Sequence, residues 1–194
     1  MVTEEPGTGR WHRLFADLEA EADAAERASL RAEVADRTRA EVGRLRLHDR
    51  LRAAVGHSLH CHLLGAGAVA GTLRGVGPDW LLLTEPTGAD VLVPLGAVGS
   101  VTGLGPRSAP PGSEGGLVAA RLDLRYALRR LVRERAPVTV LLTDGTALAG
   151  TLDRVGADFV EIAEHPAGEA RRLRAVRQVR AVPFRALGLL RSSR

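Results

Sequence analysis

The eleven residues AGTLRGVGPDW, positions 70–80, return as AGTLDRVGADF at positions 149–159. Gly71 falls on Gly150, Val76 on Val155, Gly77 on Gly156, Asp79 on Asp158 and Trp80 on Phe159, all at an offset of 79 residues. The correspondence resumes where Val93-Pro94-Leu95 meets Val182-Pro183-Phe184, and Val98 meets Leu187. Between these anchors the second copy holds ten more residues, mainly within EHPAGEARRLRAVRQVR, and a hairpin tip absorbs such a change at small entropic cost. Two copies of this length specify paired small domains rather than a solenoid. A chain of 194 residues has room for that pair and one extension.

Each copy reads as a short helix followed by five short strands. In the first, LHDRLRAAVG (47–56) ends in glycine, and SLHCHLLG, AVAGTL, WLLLTE, DVLVPL and AVGSVTGL follow as β-prone runs punctuated by Gly, Pro or Asp. In the second, residues 117–135 carry a helical pattern through Leu122, Tyr126, Leu128, Leu131 and Val132, and Pro137 closes it. VTVLLTDG, ALAGTLDRVG, FVEIAE, a basic stretch to Val182, and FRALGLL then answer the first five runs. SAPPGSEGG (108–116) is a linker by composition. The expected organisation is a helical extension over 1–46, a first copy over 47–107, the linker, and a basic second copy over 117–194.

The extension is one long helix by pattern. Residues 11–42 contain no Gly or Pro, and Trp11, Leu14, Phe15, Leu18, Ala22 and Ala25 recur at three- and four-residue steps. Thr8 is a candidate cap, and Gly43 weakens the pattern at the far end. A helix of roughly 35 residues reaches about 50 Å, too long to hide against one small domain. Trp11, Leu14, Phe15 and Leu18 are therefore expected to meet another copy or a protein partner, a homodimer being the simplest assembly.

Composition narrows the function. The single cysteine, Cys61, excludes a disulfide framework and a cysteine-rich zinc site. No 18-residue apolar run occurs and the first ten residues lack the apolar stretch of a signal peptide, so a soluble, cytoplasmic protein with no membrane contact is expected. All 27 basic residues are arginine. Residues 1–56 carry 10 Arg against 11 acidic groups, residues 57–107 carry 2 against 3, and residues 108–194 carry 15 against 9. The net charge of +6 in that last part concentrates the basic character in the second copy.

A helix followed by five short bent strands is the layout of small closed barrels. VTVLLTDGTALAGTLDRVGADFVEIAE resembles the first half of an Sm-like domain: a strand ending in the Asp144-Gly145 turn, a strand with a mid-strand glycine, and a third apolar strand. The Val-Pro pair resembles the end of that domain's fourth strand and the turn into its fifth. The resemblance covers residues 47–104 and 122–191. It implies an α+β chain in which the long N-terminal helix precedes two tandem Sm-like, SH3-type β-barrels, each behind a short helix. It also implies pairing through edge strands and RNA binding. Where the family holds a base with Asp and Asn, this chain has Gly156 and Val160, and Gly77 and Leu81 in the first copy.

The densest cationic stretch is EARRLRAVRQVR, with Arg171, Arg172, Arg174, Arg177 and Arg180. Arg125, Arg129 and Arg133 add a row at four-residue steps on the preceding helix. These cations suit phosphates, of RNA by preference or of another nucleic acid, and no interleaved aromatics suggest base stacking. The competing use of such a face is simple solvation beside local acids. His60 and His62 share a strand face around Cys61, too few ligands for zinc, and His165 has no nucleophile or carboxylate at motif spacing. No Walker loop, dinucleotide fingerprint or GxSxG element occurs, so neither catalysis nor a cofactor or metal is expected.

Overall fold

The computed structural model describes residues 8–109, 122–166 and 176–192, which form two units, 1–45 and 46–194. The first unit is helix α1, Thr8–Arg44, running through Gly43. Its Ala, Glu, Arg and Leu are strong helix formers, and Arg37–Glu33 and Arg39–Asp36 ion pairs link successive turns. Trp11, Leu14, Phe15 and Leu18 are 62, 46, 58 and 52% exposed.

The second unit is built on one antiparallel sheet of ten strands. Helix α2 (Leu47–Ala53) precedes β1 (Ser58–Leu63), β2 (Gly67–Val76), β3 (Trp80–Thr84), β4 (Asp90–Pro94) and β5 (Val98–Thr102). Helix α3 (Leu124–Glu134) precedes β6 (Pro137–Leu142), β7 (Ala147–Val155), β8 (Phe159–Glu164), β9 (Gln178–Pro183) and β10 (Leu187–Ser192). The strand order is β5-β1-β2-β3-β4-β10-β6-β7-β8-β9. Both copies thus pair their strands in the order fifth, first, second, third, fourth. A three-residue 3-10 turn, Leu95–Ala97 or Phe184–Ala186, joins the fourth strand to the fifth across the width of its own half. Strands at opposite ends of a five-strand half can be joined so briefly only if that half is rolled. The roll is not zipped shut: β4 pairs with β10 of the other copy instead of β5.

Matching backbone bonds show that the repeat is structural. Gly77 donates to Trp80 O as Gly156 does to Phe159 O, both at 2.8 Å. Leu95 donates to Asp79 O as Phe184 does to Asp158 O, again at 2.8 Å. Gly71 and Gly150 sit where backbone of the third strand of their copy, or of the residue after it, passes close by. A Cβ there would lie 2.5 Å from Thr84 O or 2.1 Å from Ala163 O, and backbone cannot yield. The β6–β7 turn is not the two-residue hairpin that Asp-Gly signals. Only Gly145 takes positive φ, at 87°, while Asp144 turns its carboxylate onto the Thr146 N–H, so four residues make the reversal.

Alternation builds the core face of β1, whereas β4 and β10, which meet at the joint, are buried on both faces. In β1, Leu59, Cys61 and Leu63 are buried and Ser58, His60 and His62 exposed. Leu51 of α2 joins Leu73, Leu81 and Leu83 in the first core; Leu128 of α3 joins Val140, Leu152 and Ile162 in the second. The two cores exchange residues at the β4–β10 joint. Leu92 of the first copy belongs to the second core, and Leu189 of the second copy belongs to the first. At about 1.5–3 kcal/mol for each fully buried leucine, this exchange couples the halves.

Candidate nucleic-acid interface

Helix α3 owes its position to both copies. Its Asp123 accepts from the Tyr126 N–H at 2.8 Å as an ordinary N-cap, and Asp79 of the first copy accepts from the Leu124 N–H at 2.7 Å. Trp80 adds an indole N–H to Leu122 O at 2.7 Å. Burial raises the Asp79 pKa, with the Leu124 N–H opposing and the nearby Asp123 charge adding to the rise. At the other end Arg135, at φ 50°, donates to Leu131 O and Val132 O in a left-handed cap usually given to glycine.

With Leu124 and Leu128 buried, α3 turns its arginines outward. Arg125, Arg129 and Arg133 form the expected row, spanning about 12 Å at 1.5 Å per residue. Arg125 lies 3.9 Å from Asp123, and Arg130 beside the row pairs with Glu134 at 3.3 Å. Arg133 Nε donates to Arg129 O. Among the described residues no carboxylate comes within ion-pair distance of Arg129, Arg133 or Arg135, and all three are exposed.

The hairpin beyond β8 is seen at its base. Arg171, Arg172 and Arg174 lie outside the described residues. Arg177 donates its backbone N–H to Glu164 O at 2.9 Å. Arg180 is an exposed residue of β9, and its guanidinium binds the Glu164 carboxylate together with Gln178, which donates at 3.1 Å. Burial alone would raise the Glu164 pKa; the Arg180 and Gln178 bonds and the Arg180 and Arg177 charges outweigh it and lower the value. Arg180 is therefore half-spent on its own chain. Helix α3 packs on β7, two strands in from the β9 edge.

The remaining sequence candidates have structural roles. Burial raises the Cys61 pKa, and exposed His60 and His62 flank it. His165, expected in a loop, is 3% exposed. Its Nδ1 lies 3.1 Å from Pro166 O, which can only accept, so Nδ1 carries the proton and Nε2 accepts from the buried Thr151 hydroxyl at 2.7 Å. Both ring nitrogens are used. Among the described residues no three His, Cys, Asp or Glu side chains are grouped to hold a metal ion, and no helix is long and apolar enough to cross a membrane.

Two features escaped sequence reasoning. Arg50, His57 and Arg107 line a cavity of about 300 Å³ beside α2, in the copy whose net charge gave no hint of it. A second cavity, about 430 Å³, lies at the joint between Trp80, Leu82 and Leu92 on one side and Leu122, Tyr126 and Leu131 on the other. Both depend on residues far apart in the chain, which periodicity cannot bring together.

No protein-family model and no curated protein matches this chain.

Proposed function

We propose that the chain is a non-enzymatic nucleic-acid-binding protein, with RNA as its ligand, that contacts phosphates through its basic second copy. The observation that carries this reading is the outward row Arg125–Arg129–Arg133 on α3, whose last two members face no carboxylate among the described residues. Arginine forks suit phosphate oxygens, and a row on one rigid helix meets successive phosphates without ordering a loop. The rolled five-strand halves, with the fifth strand paired to the first and the first through fourth paired in succession, support the Sm-like, SH3-type barrel reading. Where that family holds a base, Gly77 and Gly156 lie against the rings of Trp80 and Phe159, and Leu81 and Val160 are core residues. Binding is accordingly to the backbone, insensitive to sequence and sensitive to salt.

The test is binding of a labelled, unstructured RNA at 50 and 200 mM salt, with a duplex DNA competitor. If about six phosphates are engaged, affinity falls about 10³-fold across that range. Arg129→Glu with Arg133→Glu weakens binding at least tenfold, roughly one or two lost contacts and added repulsion. Wild-type affinity in that variant, or no binding at 50 mM salt, overturns the reading. A second reading then stands, in which the chain is a protein-assembly module. The exposed Trp11, Leu14, Phe15 and Leu18 stripe of α1 favours it. It requires a protein partner that survives nuclease treatment and is lost when residues 1–44 are removed.

A further inference from the structure

We propose that the cavity beside α2 is a binding site for a small phosphomonoester, separate from the arginine row on α3. One of its walls is a strap that follows β5. Gly103, at φ 91°, turns the chain where a Cβ would meet Ser58 O at 2.6 Å. Leu104 then packs on the first core, Arg50 of α2 donates to Gly105 O at 2.8 Å, and the Ala109 N–H donates to Asp49 O at 3.0 Å. His57 is fixed through its backbone: its carbonyl accepts from the Leu73 N–H at 2.9 Å, and its own N–H donates to Ala54 O at 3.0 Å. The resulting space of about 300 Å³ is lined by Arg50, His57 and Arg107, together with Ala53, Ala54 and Pro106.

Three nitrogen-bearing side chains from separate segments thus share one space, and no carboxylate lines it. Arg50 spends one N–H on Gly105 O and forms no ion pair among the described residues; no hydrogen bond or ion pair among them holds the exposed Arg107 side chain. Asp49, next to Arg50 in sequence, is turned to the start of α2, where its carboxylate accepts from the Arg46 N–H at 3.3 Å. Carbonyls at the end of α2, which would repel an anion, are occupied: Leu51 O, Arg52 O and Ala54 O accept from the N–H groups of Ala54, Val55 and His57. The second copy lacks this arrangement. Leu51 corresponds to Leu128, both fully buried, so Ala127 stands where the first copy has Arg50; the 79-residue offset puts Ala136 in place of His57. A phosphomonoester carries about two negative charges at neutral pH on three terminal oxygens, enough acceptors for two guanidinium forks and an imidazole together. A phosphodiester within a strand carries one charge and continues on both sides, which suits the open row on α3. The alanines and the Pro106 ring offer the organic part of the ester an apolar wall, as small-ligand sites do.

The test is isothermal titration calorimetry of the full-length chain, free of RNA, with phenyl phosphate as the probe. One site per chain is expected, with Kd below about 1 mM. Inorganic phosphate, which lacks the ring, and methyl phenyl phosphate, which carries a single charge, should each bind about tenfold weaker or worse. Arg50 also tethers the strap, so the exposed Arg107 and His57 are the residues to change. Arg107→Ala and His57→Ala should each weaken phenyl phosphate, the former about tenfold or more, as loss of a charge-assisted hydrogen bond does. Arg129→Glu with Arg133→Glu on α3 should leave it unchanged, which separates failure of this site from failure of the α3 row. No binding, wild-type affinity in Arg107→Ala, or equal affinity for inorganic phosphate overturns the proposal. An RNA oligomer with a terminal phosphate offers the same group, so it competes against phenyl phosphate on the α3 variant beside its hydroxyl-ended twin. Equal, weak displacement by the two supports the small ester; displacement by the phosphorylated oligomer alone, at higher affinity than phenyl phosphate, overturns it.

Discussion

Leu190 sits where the two copies become one body, and replacing it with alanine tests whether they fold as one. Its side chain is 2% exposed, faces Leu92 across the joint and Val140 on the other flank, and belongs to the second core. Leu→Ala at such a site costs about 2–5 kcal/mol, the transfer free energy of the lost methyls plus the cavity they leave. Taking about 3 kcal/mol, the melting temperature of a body this size falls about 6–12 °C. The assay is urea unfolding, followed by far-UV circular dichroism and by tryptophan fluorescence in a Trp11→Phe background. The fluorescence then reports from Trp80, in the copy that was not altered. Because Leu92 and Leu189 are exchanged between the cores, both probes should move together to lower urea with unchanged slope. If the Trp80 transition stays in place while the dichroism splits into two steps, the copies are independent and the coupling argument is wrong.

Asp79→Ala removes the first-copy carboxylate that holds the Leu124 N–H, and should cost about 1 kcal/mol, the usual worth of a helix cap, with Asp79→Asn retaining most of it; urea midpoints decide. Glu164 governs the acid limb. Its pKa is lower in the folded chain than the ordinary 4.5, so its contribution is complete above that value and lost as pH falls through the folded pKa. Glu164→Gln should flatten stability against pH below about 4.5 and leave the slope near neutrality unchanged; an unaltered acid limb would sink the assignment.

Much of this architecture could be read from the chain directly. Alternation in SLHCHL placed Cys61 inside and its histidines outside, and the Ala-, Glu- and Arg-rich run without Gly or Pro made one helix. Such features are local: strand and helix periods act over a few residues, and a repeat reports itself wherever its anchors recur. The arginine row on α3 belongs to the same class, since four-residue spacing on a helix leaves little choice of face.

Other features needed the folded body. Nothing along the chain pairs Glu85 with Arg191, 106 residues away, or sets Asp79 on the first N–H of α3. Sequence showed that Arg180 was basic, but not that Glu164, 16 residues earlier, would claim it. The sequence by itself determined the duplicated unit, its ten strands and where its charge is concentrated, because neighbour spacing and side-chain chemistry decide those. Tertiary structure alone decided that β4 closes on β10 rather than on its own β5, because that choice is a competition between distant strand edges, settled by the apolar surface that Leu92, Leu189 and Leu190 bury together.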